Sequence, residues 1–147
     1  MRVDAIMKMK KEALRLRPED SCLSAARIML ERNTGFLPVC DRMGVVIGVL
    51  TDRDIVLRVT ALDLAPGTVP VERVMSREVV VCRPDDDLRR AEALMATHRK
   101  ARLPVCDEEG RLLGVISLSD VAQADRSIEV GAVLREVTAR ESPVRFQ

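Results

Sequence analysis

Aromatic residues are almost missing from this chain: two Phe, no Trp and no Tyr stand among 147 residues. Single-stranded nucleic acid is held largely by stacking bases on aromatic faces, and there is almost nothing here to stack on. An excess of one charge is equally absent. The 24 Lys and Arg are balanced by 23 Asp and Glu, for a formal net charge of +1, so no global basic field recruits a polyanion. The longest apolar run, VVIGVL at 45–50, is far short of a membrane span. The basic N-terminal stretch MRVDAIMKMKKEALRLR has neither an apolar h-region nor a small-residue cleavage site. The protein is therefore expected in the cytoplasm, with no membrane and no nucleic acid as partner.

Catalytic and metal chemistry also lack their usual parts. His98 is the only histidine, and there is no Ser/His/Asp set, no HExxH and no P-loop. No enzyme is expected, and no metal. The four cysteines contain no CxxC, so zinc spacing is absent. Asp85, Asp86 and Asp87 form an acidic run at a helix start, where carboxylates favour the helix dipole; this reads as capping rather than metal binding.

What the chain does contain is one sentence written twice. Residues 17–54 laid over 83–120, an offset of 66, give 14 identities in 38 positions without a gap. Among them are Pro38 over Pro104, Gly44 over Gly110, Gly48 over Gly114 and Asp54 over Asp120. VDAIM at 3–7 echoes VERVM at 71–75 after a two-residue adjustment. Cysteine exchanges with leucine between the copies (Cys22 with Leu88, Cys82 with Leu16), as a small buried hydrophobe does, so inert core thiols are expected.

Each copy reads as β-α-β-β-α. A short strand (13–17; 79–82) precedes a helix opened by Pro and acidic residues. The helix has an apolar stripe at Cys22, Ala25, Ile28 and Met29, repeated at Leu88, Ala91, Leu94 and Met95. The strand LPVCD follows, then a turn ending in Gly44 or Gly110, then a third strand running straight into a helix at Thr51 or Ser117. The expected class is α/β with a small mixed sheet per copy. Residues 1–62 form the first repeat, 63–70 a linker, 71–125 the second repeat, and 126–147 a C-terminal helix (128–140) and tail. A unit of about 60 residues buries only roughly 60% of its surface, so the halves are expected to pack together and leave a cleft at their seam.

The polar letters kept in both copies sit where the third strand becomes a helix: GVLTDRD at 48–54 and GVISLSD at 114–120. Thr51 with Asp54, and Ser117 with Asp120, resemble capping boxes, which would explain them by stability alone. Two details point further. Both copies use Asp where a box ordinarily has Glu or Gln, and both place Gly inside the preceding strand, where it weakens the strand unless something approaches the backbone. A helix N-terminus suits phosphate, a hydroxyl adds a hydrogen bond, and a carboxylate accepts from adjacent hydroxyls such as a ribose pair. Together these parts describe a nucleotide site.

The duplication, LPVCD, GVLTDRDIV and GVISLSD closely resemble the tandem cystathionine β-synthase (CBS) domain pair, or Bateman module, over residues 3 to 125. The arrangement looks like the bacterial proteins in which that pair stands alone. The resemblance implies two CBS repeats related by a pseudo-twofold axis, with clefts between them that take AMP, ADP, ATP or related adenosyl ligands. It places Asp54 and Asp120 on ribose hydroxyls and Thr51 and Ser117 on ribose or phosphate. A basic side chain for the phosphates comes from the segment HRKAR at 98–102, where the first copy has RNTGF. Arg102 is the first candidate, Arg53 the second, and His98, Arg99 and Lys100 are weaker ones. Phe36 at the position of Arg102 makes the two sites unequal. The expected function is a non-catalytic regulatory module that requires no cofactor, senses an adenine nucleotide and signals by a change of shape or assembly to an unknown protein target, as a homodimer. The alternative is a ligand-independent structural dimerisation protein whose two sites are vestigial.

Overall fold

The computed structural model describes residues 1–9, 14–124 and 128–139. In the first copy, Ser21 is extended and its side chain accepts the Ser24 N–H at 3.0 Å, giving α1 (Cys22–Arg32) a capped start. The helix stops where Asn33 turns left-handed at φ 49°. Cys22, Ala25 and Met29 are buried on one face, the stripe expected from their spacing. Strands β2 (Phe36–Cys40) and β3 (Val46–Thr51) pair antiparallel, with Phe36 opposite Thr51 and Val39 opposite Gly48. Their turn is held by Asp41, whose Oδ1 accepts the N–H groups of Met43 and Val45 at 2.9 and 3.0 Å. Gly44 supplies the positive φ of 82° that the turn requires. Helix α2 (Asp52–Arg58) follows β3 without a linker.

The second copy repeats this plan. Asp87 caps α3 (Leu88–His98) by accepting the Arg89 N–H at 2.9 Å, and Arg99 ends it at φ 54°. Strands β4 (Arg102–Cys106) and β5 (Leu112–Ser117) flank the turn glycine Gly110 at φ 83°, and α4 (Leu118–Ala124) begins where β5 ends. Helix α5 (Ile128–Thr138) is the expected C-terminal helix, with Val133 and Val137 buried. Position 140 of that expectation, and the tail beyond it, lie outside the described residues.

Two expectations need correction. The first strands at 13–17 and 79–82 shrink to one bridging residue each, while position 13 is outside the described residues. Leu16 pairs in parallel with Val39, and Cys82 with Val105. The Pro18 and Pro84 that follow lack an N–H, so neither strand can extend its ladder forward. Each sheet is nonetheless mixed: a parallel bridge on one edge of an antiparallel hairpin. The second correction is an unforeseen strand, β1 (Lys8–Met9), which pairs antiparallel with β5 (Lys8 opposite Val115). Its counterpart is a single bridge from Ser76 to Val49, also antiparallel.

These edge pairings explain how the chain divides. One compact unit gathers residues 1–9, 80–107 and the described residues from Leu113 on; the other gathers described residues 14–79 with 108–112. The N-terminal segment therefore packs with the second repeat's body, and the segment 71–79 with the first repeat's body. The bonding is the same in both units. Val3 N–H donates to the Asp86 carbonyl at 2.9 Å and Val71 N–H to that of Asp20 at 2.8 Å. Leu88 N–H donates to Met1 and Cys22 N–H to Val69, both at 2.8 Å. Val3 and Val71 are fully buried. Each unit has its own apolar core, one around Met95, Leu103 and Ile116, the other around Leu16, Leu37 and Leu50.

Candidate functional site

Each unit has one strand-to-helix junction, and the six candidate residues fall into two sets: Thr51, Arg53 and Asp54 in one unit, Arg102, Ser117 and Asp120 in the other. At the first junction Thr51 Oγ1 accepts the Asp54 N–H at 3.2 Å, and Asp54 Oδ2 accepts the Thr51 N–H at 2.9 Å. At the second, Ser117 Oγ accepts the Asp120 N–H and Asp120 Oδ2 accepts the Ser117 N–H, both at 3.0 Å. Both are closed capping boxes, so the shorter Asp is no departure from capping. The box occupies one carboxylate oxygen and fixes the other in place. In Asp54 that second oxygen, Oδ1, has no hydrogen-bond partner among the described residues. Both pairs are half-buried, where a fixed acceptor is worth more than in open water.

Cross-strand pairing sets what lies beside each hydroxyl. Phe36 is directly opposite Thr51. The positions 66 residues on are Arg102 and Ser117, in the neighbouring strands β4 and β5. The bond just beyond each pair is also repeated: Asp52 N–H donates to the Gly35 carbonyl at 3.0 Å and Leu118 N–H to that of Ala101 at 2.7 Å. Arg102 is exposed and has no ion pair among the described residues. Arg53 is exposed too, at the second position of α2.

The weaker basic candidates stand at the C-terminal end of α3. Arg99 is the left-handed cap of α3 and pairs with Glu136 on α5 at 3.5 Å. Lys100 N–H closes the end of α3 on the Met95 carbonyl at 2.9 Å, and His98 is that helix's last residue.

Gly48 has a different cause from the one its sequence position suggests. A Cβ there would run into the thioether of Met75, so the close approach is made by the protein's own side chain. Sequence reasoning also passes over Asp52 and Gly35. The carboxylate of Asp52 lies against Gly35, where an added Cβ would come to 2.7 Å from Oδ2. The signal for both was in the repeat alignment, which sets Asp52 over Leu118 and Gly35 over Ala101.

The remaining reactive groups are structural. All four cysteines are free and buried. Burial pushes the Cys82 thiol up to about 12, with Asp86 adding to the rise. Burial also raises Cys22, and it raises Cys40 against the opposing pull of the Arg15 guanidinium. Among the described residues no three His, Cys, Asp or Glu side chains gather as a metal site would need, and no helix is long and apolar enough to cross a membrane. A hollow of about 1090 Å3 lies at the other end of β2 from Thr51, lined by Arg15, Arg17 and Arg42 but also by Glu19, Asp20 and Asp41. Its charges cancel, and it contains none of the doubled residues Thr51, Asp54, Ser117 and Asp120.

Comparison with known proteins finds the same duplication and fold. The CBS domain family matches residues 3–61 and again 71–127. The CBS domain-containing protein YhcV of Bacillus subtilis is 40% identical over 122 residues, which are 82% of this chain and 85% of that protein. A conserved CBS domain protein of unknown function from Thermoplasma acidophilum superposes with a TM-score of 0.79 at 26% identity, over 92% of this chain and 75% of that one. The structure of CBSX2 in complex with AMP superposes with a TM-score of 0.72 at 25% identity, over 84% and 94% of the two chains.

Proposed function

Because the chain belongs to the CBS domain family, which it matches twice in tandem, we propose that it is a non-catalytic regulatory module sensing adenosine-containing ligands of the AMP, ADP or ATP type. The observation that carries this reading is the doubled junction: a hydroxyl and a carboxylate held by the same hydrogen bonds at Thr51–Asp54 and Ser117–Asp120. The AMP in the CBSX2 structure supports the choice of ligand class. In this reading Asp54 and Asp120 accept from ribose hydroxyls, and Thr51 and Ser117 contact ribose or phosphate. Arg102 is the principal phosphate ligand, and Arg53 the second. Ligand then acts by binding two conformations with different affinity. The module works as a cytoplasmic homodimer that passes the change of shape or assembly to a protein target.

One observation favours a second reading. Both boxes close completely through the protein's own hydrogen bonds, so the pairs are sufficient as caps, and a structural dimerisation protein with vestigial sites would need nothing more. Thermal unfolding with AMP, ADP, ATP and S-adenosylmethionine, on the native chain, Asp54→Ala and Asp120→Ala, separates the two. A ligand at 100 times its dissociation constant adds about 2.7 kcal/mol. The sensor reading expects one ligand to raise the midpoint and one Asp variant to abolish that rise. No shift with any of them at millimolar concentration would leave the caps as the whole explanation. Sedimentation of the native chain with and without the active ligand tests the dimer and whether assembly is the signal.

A further inference from the structure

Three guanidiniums and three carboxylates line the hollow at the far end of β2: Arg15, Arg17 and Arg42 against Glu19, Asp20 and Asp41. By count they cancel, but by role they do not. Asp41 Oδ1 is taken by the N–H groups of Met43 and Val45, and Asp20 Oδ2 accepts the Arg17 N–H at 2.8 Å. The second copy keeps the latter bond, with Asp86 Oδ2 accepting the Arg83 N–H at 2.8 Å, so these carboxylates serve the turns. The arginine side chains have no such task. All three are exposed, and none has an ion pair among the described residues. Arg15 is nonetheless held over the hairpin turn: a Cβ on Gly44 would come to 3.2 Å from its Nη1, and its guanidinium is near enough to the Cys40 thiol to oppose the effect of burial there. The offset of 66 sets Val81 over Arg15 and Glu108 over Arg42, while Arg17 recurs as Arg83. The second copy thus folds by the same plan without two of the three cations, and folding does not call for them.

We propose that this hollow is a separate anion site, taking a multiply charged phosphate group of the diphosphate type. Guanidiniums gathered without counter-charges repel one another. An anion with several oxygens relieves that repulsion and offers each of them forked, charge-assisted hydrogen bonds. The arginines are carried on a bonded frame. Leu16 N–H donates to the Pro38 carbonyl at 2.8 Å, Cys40 N–H to that of Leu16 at 2.9 Å, and Asp41 N–H to that of Val45 at 2.9 Å. Glu19 is exposed and has no ion pair among the described residues, and it is the carboxylate that opposes the anion. The hollow is built from one unit alone, at the opposite end of β2 from Thr51, so the proposal does not rest on the adenosyl reading.

The test is calorimetry on the full chain with pyrophosphate at fixed ionic strength, and with sulfate as the control anion. Pyrophosphate is expected to bind at least about tenfold more tightly than sulfate. Arg15→Val and Arg42→Glu each introduce the residue that the second copy has at that place, and each should weaken pyrophosphate at least about tenfold. Arg42→Lys retains the charge without the fork and should lose less than Arg42→Glu. Glu19→Gln should bind pyrophosphate more tightly than the native chain does. ATP as a third probe separates a free diphosphate from the phosphate tail of a larger molecule, by which of the two loses more affinity in Arg15→Val. Equal affinity for pyrophosphate and sulfate overturns the inference, and so does full affinity in both Arg15→Val and Arg42→Glu. Loss with Arg102→Ala alone also overturns it, placing the anion at the second junction. No pyrophosphate bound by the native chain overturns it and leaves the adenosyl reading standing.

Discussion

Thr51 and Ser117 are caps whatever else they do, and this sets a stability baseline for any ligand experiment. Thr51→Ala removes the acceptor for the Asp54 N–H and is expected to cost about 1 kcal/mol in urea unfolding without ligand. Gly48 gives a second test at this scale. Gly48→Ala drives a methyl into Met75 inside a packed core and should cost about 1–3 kcal/mol. Combining it with Met75→Ala should lose less than the sum of the two single changes, because the clash is then absent. The buried thiol of Cys82 makes a pH prediction. Its pKa rises from an ordinary 9.0 to about 12, so above pH 9 the unfolded chain releases this proton while the folded chain retains it. The folded state thus binds more protons there. The thiol's contribution to stability is full below pH 9 and is lost as pH rises towards 12. Melts of the native chain and Cys82→Ala across that window should show the native chain's advantage shrinking.

At the scale of elements, α1, α3 and both hairpins form for reasons written locally. Ser21 and Asp87 cap the helices, periodic apolar residues bury one face, and Gly44 and Gly110 turn the hairpins. The first strands are shorter than their apolar runs suggest, since such a run followed by Pro supports only one parallel bridge. The pairing of β1 with β5 could not be read at all, because two residues of sequence say nothing about which distant edge they meet. That pairing anchors Val3 in the core of the second repeat's body. Val3→Ala should therefore lower stability by about 2 kcal/mol, and Val71→Ala, its counterpart in the other core, by a similar amount.

For the molecule as a whole, the repeats recognised by the CBS family, 3–61 and 71–127, do not coincide with the compact units. Each unit borrows the segment that opens the other repeat. A fragment beginning at residue 71 would retain a segment whose partner is missing and lack the one that covers Val3's place. It is expected to melt below the full chain, and a synthetic peptide of residues 1–9 should raise its midpoint by occupying the vacant edge. No change in midpoint with added peptide would mean that the exchange contributes little to stability.

The duplication was legible because both copies keep the same turn glycines, cap residues and core periodicity, and these act within a few residues of themselves. Thr51, Asp54, Ser117 and Asp120 could be singled out for the same reason, and so could the inequality of Phe36 and Arg102. The sequence by itself thus determined the repeated β-α-β-β-α plan, the buried thiols and the two junctions. Tertiary structure decided the rest: that Met75 covers Gly48, that Asp52 rests on Gly35, and that the opening segments of the two repeats are exchanged between units. Each of these depends on which distant surfaces meet, and burial, unlike capping, has no fixed spacing along the chain by which it can be read.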